Sequence, residues 1–447
     1  MKNYKEIAGK IDKWLSRKKI DQSEVYIQEN RLISVEILGN EIKNLSINND
    51  SGLGIRAFRN KASGFVSQMG LDLKATEYIV KNLIDTIEYS DPDPDFHSLP
   101  LPSTSDFMNA EPDKKTLEIS TAHLADIASK LIEEAIQVDK EMSLRGSIRI
   151  SIKRNFIWNS LGILQEFDTV FCLSYLSATI KKGEDVGTYS DFIVGRKWSD
   201  LQFNNFGKDV SEIALKYLGA RKIATGNYPV IASFDTASTF AESIATALNA
   251  EALQRKRSPF TGRLEEKLAV PFLTIIDNPN IPDAIRSHSY DGEGVPCKPV
   301  VLLENGCFKE ILHNSYTAKK AETKSNGRGM RQSYGARPEI TYTNIVVSPG
   351  DKTEAELIKQ IDKGIYLTSA AFQPNSNGDI SSAIDLGYWI ENGELKYPIK
   401  NAMLGTTIFN LMKNLVAISS DGREFPGGIV YPSMMFENVM ISGEKTD

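Results

Sequence analysis

Two stretches of this chain carry the same order of hydrophobic patterns, and that order limits the fold more than any other feature. The first opens on "MKNYKEIAGKIDKWLSRKKI", where Ile7, Ile11, Trp14 and Leu15 fall at helical spacing. It continues through "EVYIQENRLISVEILGNEIKNLSINNDSGLGIRAFRNKASGFVSQ", an alternation of apolar and polar residues that turn residues divide into about four expected strands. A helix over about 72–89 closes the unit, with Ile79, Leu83 and Ile87 on one face. After a proline- and acid-rich connector at about 90–107, "SDPDPDFHSLPLPSTSD", the pattern begins again. A helix over 115–138 leads into a second alternating meander from "SLRGSIRISIK" to "SDFIVG", and "DVSEIALKYLGA" supplies the closing helix. A helix–meander–helix unit used twice segregates sheet from helices, so the class expected is α+β.

The second unit ends near 222. Beyond "ARKIATGNYPVIAS" the chain becomes short strands and glycine-bearing turns, with helices expected only over 236–254, in "KTEAELIKQIDKGIYL" and in "NLMKNLVAIS". The expected organisation is an N-terminal α+β domain over 1–222, made of two similar modules, and a β-rich C-terminal domain over 223–447. A chain of 447 residues is indeed too long for one ordinary core.

Charge and cysteine usage narrow the function. The net charge of −6 provides no general attraction for phosphate, so direct nucleic-acid binding is disfavoured. Cys172, Cys297 and Cys307 are odd in number and form no C-x-x-C pair, which fits a reduced compartment. The first twenty residues lack the apolar core of a signal peptide. The longest apolar run, "LAVPFLTII", is too short to span a bilayer. A cytoplasmic protein without membrane attachment is expected.

Local motifs of catalysis are sparse. His97, His123, His288 and His313 are too far apart in sequence to form a local chelating pair. His288 alone has neighbouring carboxylates, Asp291 and Glu293, and there a turn role competes with a binding role. "SGLGIRAF" contains G-x-G but no third glycine and no following helix, so it reads as a strand turn rather than a nucleotide loop. Cys172 lies in the alternating "VFCLSYL" and reads as a packed hydrophobe. The long loops "SYDGEGVPCKP", "KSNGRGMRQSYGARPE", "FQPNSNGDISSA" and "SSDGREFPGG" are where a β scaffold would build a binding site. In the second of them, Arg328 and Arg331 beside Tyr334 have the chemistry to hold a peptide carboxylate or backbone carbonyls; solvated turns are the competing reading.

"RSHSYDGEGVPCKPVVLLENGCFKEILHNSYTAKK" followed by "SNGRGMRQSYGARPEITYTN" resembles the TldD/PmbA family, historically labelled modulators of DNA gyrase. "GLGIRAFRNKASGFVSQ", "DKGIYLTSAAF", "GYWIENGELKYPIKNAMLGTTIFNLMKNLVAIS" and "MMFENVMISG" extend the resemblance over nearly the whole chain. The resemblance implies a TldD-type zinc protease with an H-E-x-x-x-H helix and a later cysteine ligand, paired with PmbA (TldE)-type subunits that lack the metal site. On this sequence that helix falls in "STFAESIATALNAEALQRKRSPFTGR", with Ala241 and Thr246 at the two histidine positions and only Glu242 matching. The cysteine would fall in "AISSDGREFPGGIVYP", which has none. The resemblance therefore implies a metal-free subunit, without cofactor, with zinc confined to a TldD-like partner and unstructured peptide as substrate. Glu242 is then a remnant that should face solvent or an arginine, while "GRGMRQSYGARPEITYTN" stays closer to the TldD form. A homodimer is an alternative assembly. The competing readings are a hydrolase assembled from His288, Asp291, Glu293 and His313, and a gyrase-modulating binding protein.

Overall fold

The computed structural model describes residues 4–108 and 111–444. Both meanders enter one six-stranded antiparallel sheet of order β3-β2-β1-β4-β5-β6. The first supplies β1 (Gln22–Leu38), β2 (Glu41–Arg59) and β3 (Ala62–Met69). The second supplies β4 (Ser143–Asn159), β5 (Leu164–Lys182) and β6 (Asp185–Gly195). Three strands replace the four expected from the first block, because Glu29-Asn30 and the 48–52 polar run remain extended. In β1 that segment has a ladder partner on both sides, in β2 and β4, which outweighs its turn-prone composition. The real turns are at Gly39-Asn40 and Asn60-Lys61, where both residues of each pair have positive φ, as two-residue hairpins require.

Helices cover one face of this sheet. Helix α1 (Tyr4–Ser16) and α2 (Leu73–Glu88) bury Ile7, Ile11, Leu83 and Ile87 against Val25, Ile27, Leu53 and Ile55. Under the other half, α4 (Thr121–Val138) and α5 (Phe206–Lys216) cover Ile33, Val35, Ile148, Ile150 and Cys172. The helix expected over 115–138 is split. A single turn, α3 (Lys114–Leu117), precedes Ser120, whose hydroxyl accepts the amide of His123 and starts α4 afresh. Each fully buried leucine, such as Leu124 or Leu131, contributes about 1.5–3 kcal/mol.

The C-terminal part contains a ring of strands: β7 (Gly226–Ala232), β19 (Ile429–Ser442), β17 (Met403–Thr407), β15 (Asp379–Glu391) and β14 (Lys363–Ala370), which pairs back onto β7 in parallel. Strands β16 (Glu394–Pro398) and β18 (Leu415–Phe425) extend it as hairpin partners of β15 and β19. A smaller sheet joins β8 (Ile275–Asp277), β9 (Val300–Glu304), β10 (Cys307–Phe308) and β13 (Ile345–Val347), while β11 (Gly329–Met330) pairs with β12 (Glu339–Ile340). Between them lie α6 (Phe234–Ala247), α7 (Ala250–Gln254), α8 (Ser315–Lys320), α9 (Glu354–Ile358) and α10 (Ile408–Asn414).

Two helix expectations are corrected here. The helix of 236–254 breaks at Leu248–Asn249, where Leu312 exchanges backbone hydrogen bonds with Leu248 and Ala250 and the Asn249 side chain caps α7. In "KTEAELIKQIDKGIYL" only Glu354–Ile358 is helical. The segment from Lys363 onward is strand, and Gly364 lies against the Pro229 carbonyl too closely for a Cβ.

The second face of the six-stranded sheet carries the even positions of β1 and β2 and meets the C-terminal part. Gly52 and Gly54 of "SGLGIRAF", inside β2 rather than in a turn, let Tyr334 press onto the strand; a Cβ on Gly54 would stand 2.3 Å from the Tyr334 carbonyl oxygen. Gly54→Ala is therefore expected to destabilise the protein by about 1–3 kcal/mol and to expose the 323–344 loop to proteolysis. Chemical denaturation and limited digestion measure both effects.

Candidate functional site

A cleft of about 440 Å³ lies where β5 and β6 face the C-terminal part. One wall is Phe171, Leu173, Phe192 and Val194; Asp235, Ser238 and Glu242 line it from α6; Phe425, Pro426, Ile429 and Tyr431 close it from the β18–β19 hairpin. The spacing 235, 238, 242 puts these three polar residues on one face of α6. Arg286 reaches Glu242 at 4.0 Å while lying over the Tyr342 ring at 4.7 Å. Arg423 ties the hairpin to the sheet through Asp191 at 2.6 Å and rests among the rings of Phe192, Phe234 and Phe425. Burial, reinforced by Asp191 and opposed by Arg423, raises the Asp235 carboxyl to about 6.

Of the loops marked in the sequence, "SSDGREFPGG" supplies Phe425 and Pro426 to this cleft, whereas those carrying Arg328, Arg331, Asp291 and Glu293 serve a different purpose from the one their composition suggested. Arg328 is fully buried and directs its donors to Asp277 at 2.8 Å and to the carbonyls of Asn326, Gly327 and Lys298, which leaves it no donor for a peptide. Arg331, also buried, bonds Gly292 and Ala336 carbonyls and the Glu24 carboxylate. Tyr334 packs on β2 with its hydroxyl 3.2 Å from Asp50. Glu293 receives Arg56 at 3.1 Å and the amide and hydroxyl of Ser315. Asp291 accepts three backbone amides, from Glu293, Val295 and Gly329. Its carboxyl is pushed well above the ordinary range by burial and by Glu293. These side chains hold the loops to one another and to the sheet.

His288 and Asp291 line a smaller cavity of about 150 Å³ with Tyr26, Asn155 and Arg331. His313 lines neither that cavity nor the cleft; its Nδ1 lies 3.2 Å from the Thr317 hydroxyl. The four residues of the alternative hydrolase thus do not converge on one described cavity.

Three family models match in chain order: the PmbA/TldA metallopeptidase domain 1 at 23–88, the central domain at 114–218 and the C-terminal domain at 225–443. The chain belongs to the PmbA/TldD family. Among its curated relatives are a metalloprotease PmbA homolog of Buchnera aphidicola (subsp. Acyrthosiphon pisum), 27% identical with 94% of this chain and 93% of that protein covered, and a metalloprotease TldD homolog of Buchnera aphidicola (subsp. Schizaphis graminum), 25% identical with 99% and 96% covered. The crystal structure of TldE from Thermococcus kodakarensis superposes with a TM-score of 0.88 at 22% identity, covering 98% of this chain and all of that one, and so shares its fold.

Within this PmbA/TldD chain the donors around α6 do not fit a zinc ion, which needs three or four N, S or O ligands at about 2.0–2.3 Å. Ala241 points a methyl into the core with no exposed surface, and Thr246, exposed, donates its hydroxyl to the Glu242 carbonyl at 2.9 Å. The segment of the expected cysteine, 417–432, presents Phe425, Pro426, Ile429 and Tyr431 to the cleft. Glu242 is half-buried and faces both the open cleft and Arg286.

Arg286, Asp235 and the β5–β6 wall went unmarked in the sequence, while Arg423 and Phe425 lie in the marked loop "SSDGREFPGG". One signal was available for the wall: β5 reads "TVFCLSYLSATI", apolar at both alternating positions, as a strand covered on both faces does. His288, surrounded by Arg196, Arg328 and Arg286, is held neutral; burial, then those three cations, lowers it from 6.5 to about 4. The unfolded chain binds the extra proton between these values, so stability falls as pH drops from 6.5 toward 4. His288→Gln should flatten that part of the stability–pH curve by up to about 1.4 kcal/mol per pH unit, read by urea denaturation at stepped pH.

Proposed function

We propose that this chain is the metal-free PmbA/TldE-type subunit of a cytosolic peptide-processing metalloprotease. It holds unstructured peptide in the cleft beside Glu242, while a TldD-type subunit supplies the zinc and the cleavage. The observation that carries this reading is the pairing of Glu242 with Arg286 in an otherwise open, largely apolar cleft. A protease of this family needs the equivalent carboxylate to take a proton from a metal-bound water, and without a metal that water stays far too weak an acid. Here the carboxylate faces a guanidinium, flanked by a core methyl and an outward hydroxyl.

The cleft keeps what peptide binding requires. Phe171 and Leu173 continue along β5 from Phe167 and Thr169 of the smaller cavity, all at odd positions and therefore on one face of the strand. Such a stripe suits the side chains of an extended segment. Its walls come from two parts of the chain, so occupancy depends on their docking.

The purified chain should contain no stoichiometric zinc by atomic emission and should not cleave unfolded casein alone. Stoichiometric zinc, or cleavage that a chelator stops, sinks the proposal. A fluorescent unstructured peptide should bind in anisotropy titrations. Phe171→Asp should weaken it by about tenfold or more by placing a charge in the apolar wall, and Glu242→Gln should change it less than about twofold. Recovery of an H-E-x-x-x-H subunit with the tagged chain from its native cell tests the assembly.

A further inference from the structure

A third cavity, of about 250 Å³, lies at the β2–β3 side of the docked face, across the sheet from the cleft. Three distant parts of the chain build it: Arg56 and Phe58 on β2, the connector at 93–99, and the α7–α8 region with Arg337. Phe58 and Phe96 stack at 3.8 Å with their planes 2° apart, which fixes the connector against the sheet.

The charges facing this space are unevenly committed. Asp93 accepts the Tyr316 hydroxyl at 2.9 Å, and Glu251 pairs with Arg255 at 2.9 Å. Arg56 is balanced by Glu24 and Glu293. Lys319 and Arg337 have no carboxylate partner among the described residues, and the guanidinium of Arg337 lies 5.7 Å from the centroid of the Phe65 ring. Burial and, after it, the neighbouring Arg56 press the Arg337 pKa down, as a second guanidinium nearby does. His97, exposed at the same rim, adds a further donor.

We propose that this cavity binds a small oxyanion group, a phosphate or a carboxylate, gripped by Arg337 and Lys319. A planar guanidinium offers such a group two parallel donors, and the ammonium adds a mobile third. The two cations would then gain the counter-charge that the protein does not provide. The cavity shares no residue with the cleft beside Glu242, so this site stands or falls separately from peptide binding there.

Isothermal titration calorimetry of the full chain at low ionic strength tests it with inorganic phosphate, with an N-acetylated tetrapeptide bearing a free C-terminal carboxylate, and with the same tetrapeptide as its amide. At least one of the two oxyanions should bind saturably at one site, weakening as salt rises, while the amide does not bind. The arm that binds identifies the source of the oxyanion. Arg337→Gln and Lys319→Gln should each weaken binding by about tenfold or more. Lys396→Gln, on β16 and lining none of the three cavities, should bind as the unaltered chain does. Absence of saturation by both oxyanions up to about 10 mM, or unchanged binding in both the Arg337 and Lys319 variants, overturns the proposal.

Discussion

The ionic joint of Glu24, Arg56, Glu293 and Arg331 is the contact on which the rest of the molecule depends. Two of its members are on adjacent strands of the N-terminal sheet and two on C-terminal loops, and Glu24, Glu293 and Arg331 are almost wholly buried. Two positive and two negative charges neutralise one another there, and burial makes each member costly without its partners. Breaking a single pair of this kind costs about 3–5 kcal/mol. The joint therefore specifies one way of seating the loops on the sheet, and the glycine notch at Gly52 and Gly54 admits Tyr334 only in that seating.

All three cavities depend on that seating. They lie across the docked face, from β5–β6 through β1–β4 to β2–β3, and each takes residues from both sides of the joint. Their chemistry differs sharply. The cleft beside Glu242 is walled by aromatic and aliphatic side chains, the middle cavity by a histidine and a buried carboxylate, and the third by charged side chains of which Lys319 and Arg337 have no carboxylate partner among the described residues. Loops rich in glycine and charge were the natural place to expect ligand contacts. In this protein Arg328, Arg331, Asp291 and Glu293 instead direct their hydrogen bonds to backbone and to side chains that fasten the loops, and the open surface passes to Arg286 and Phe171 and, within those loops, to Arg337 and Phe425.

Much of the fold was legible in order of residues. Alternation with period two in both meanders and helical spacing at Ile7, Leu83 and Leu124 come from local geometry, so α+β layering could be read directly. Boundaries were legible only where the chain itself enforces them. The polar run at 48–52 looked like a turn and is strand, because β1 offers it a ladder. The helix through Glu242 looked continuous and is broken, because Leu312, far along the sequence, inserts its backbone at Leu248 and Ala250.

By itself the sequence determined the family and the α+β class, and it put at 241 and 246 an alanine and a threonine rather than imidazoles, since those are properties of residue identity and spacing. Only the tertiary structure decided that Glu242 answers to Arg286, that Arg328 and Arg331 of the glycine-rich loop are fasteners, and that Arg337 of the same loop faces, with Lys319, a cavity whose carboxylates are bonded to Tyr316 and Arg255. A side chain's partner depends on which distant segment is brought within a few ångströms, and the buried joint between sheet and loops settles that.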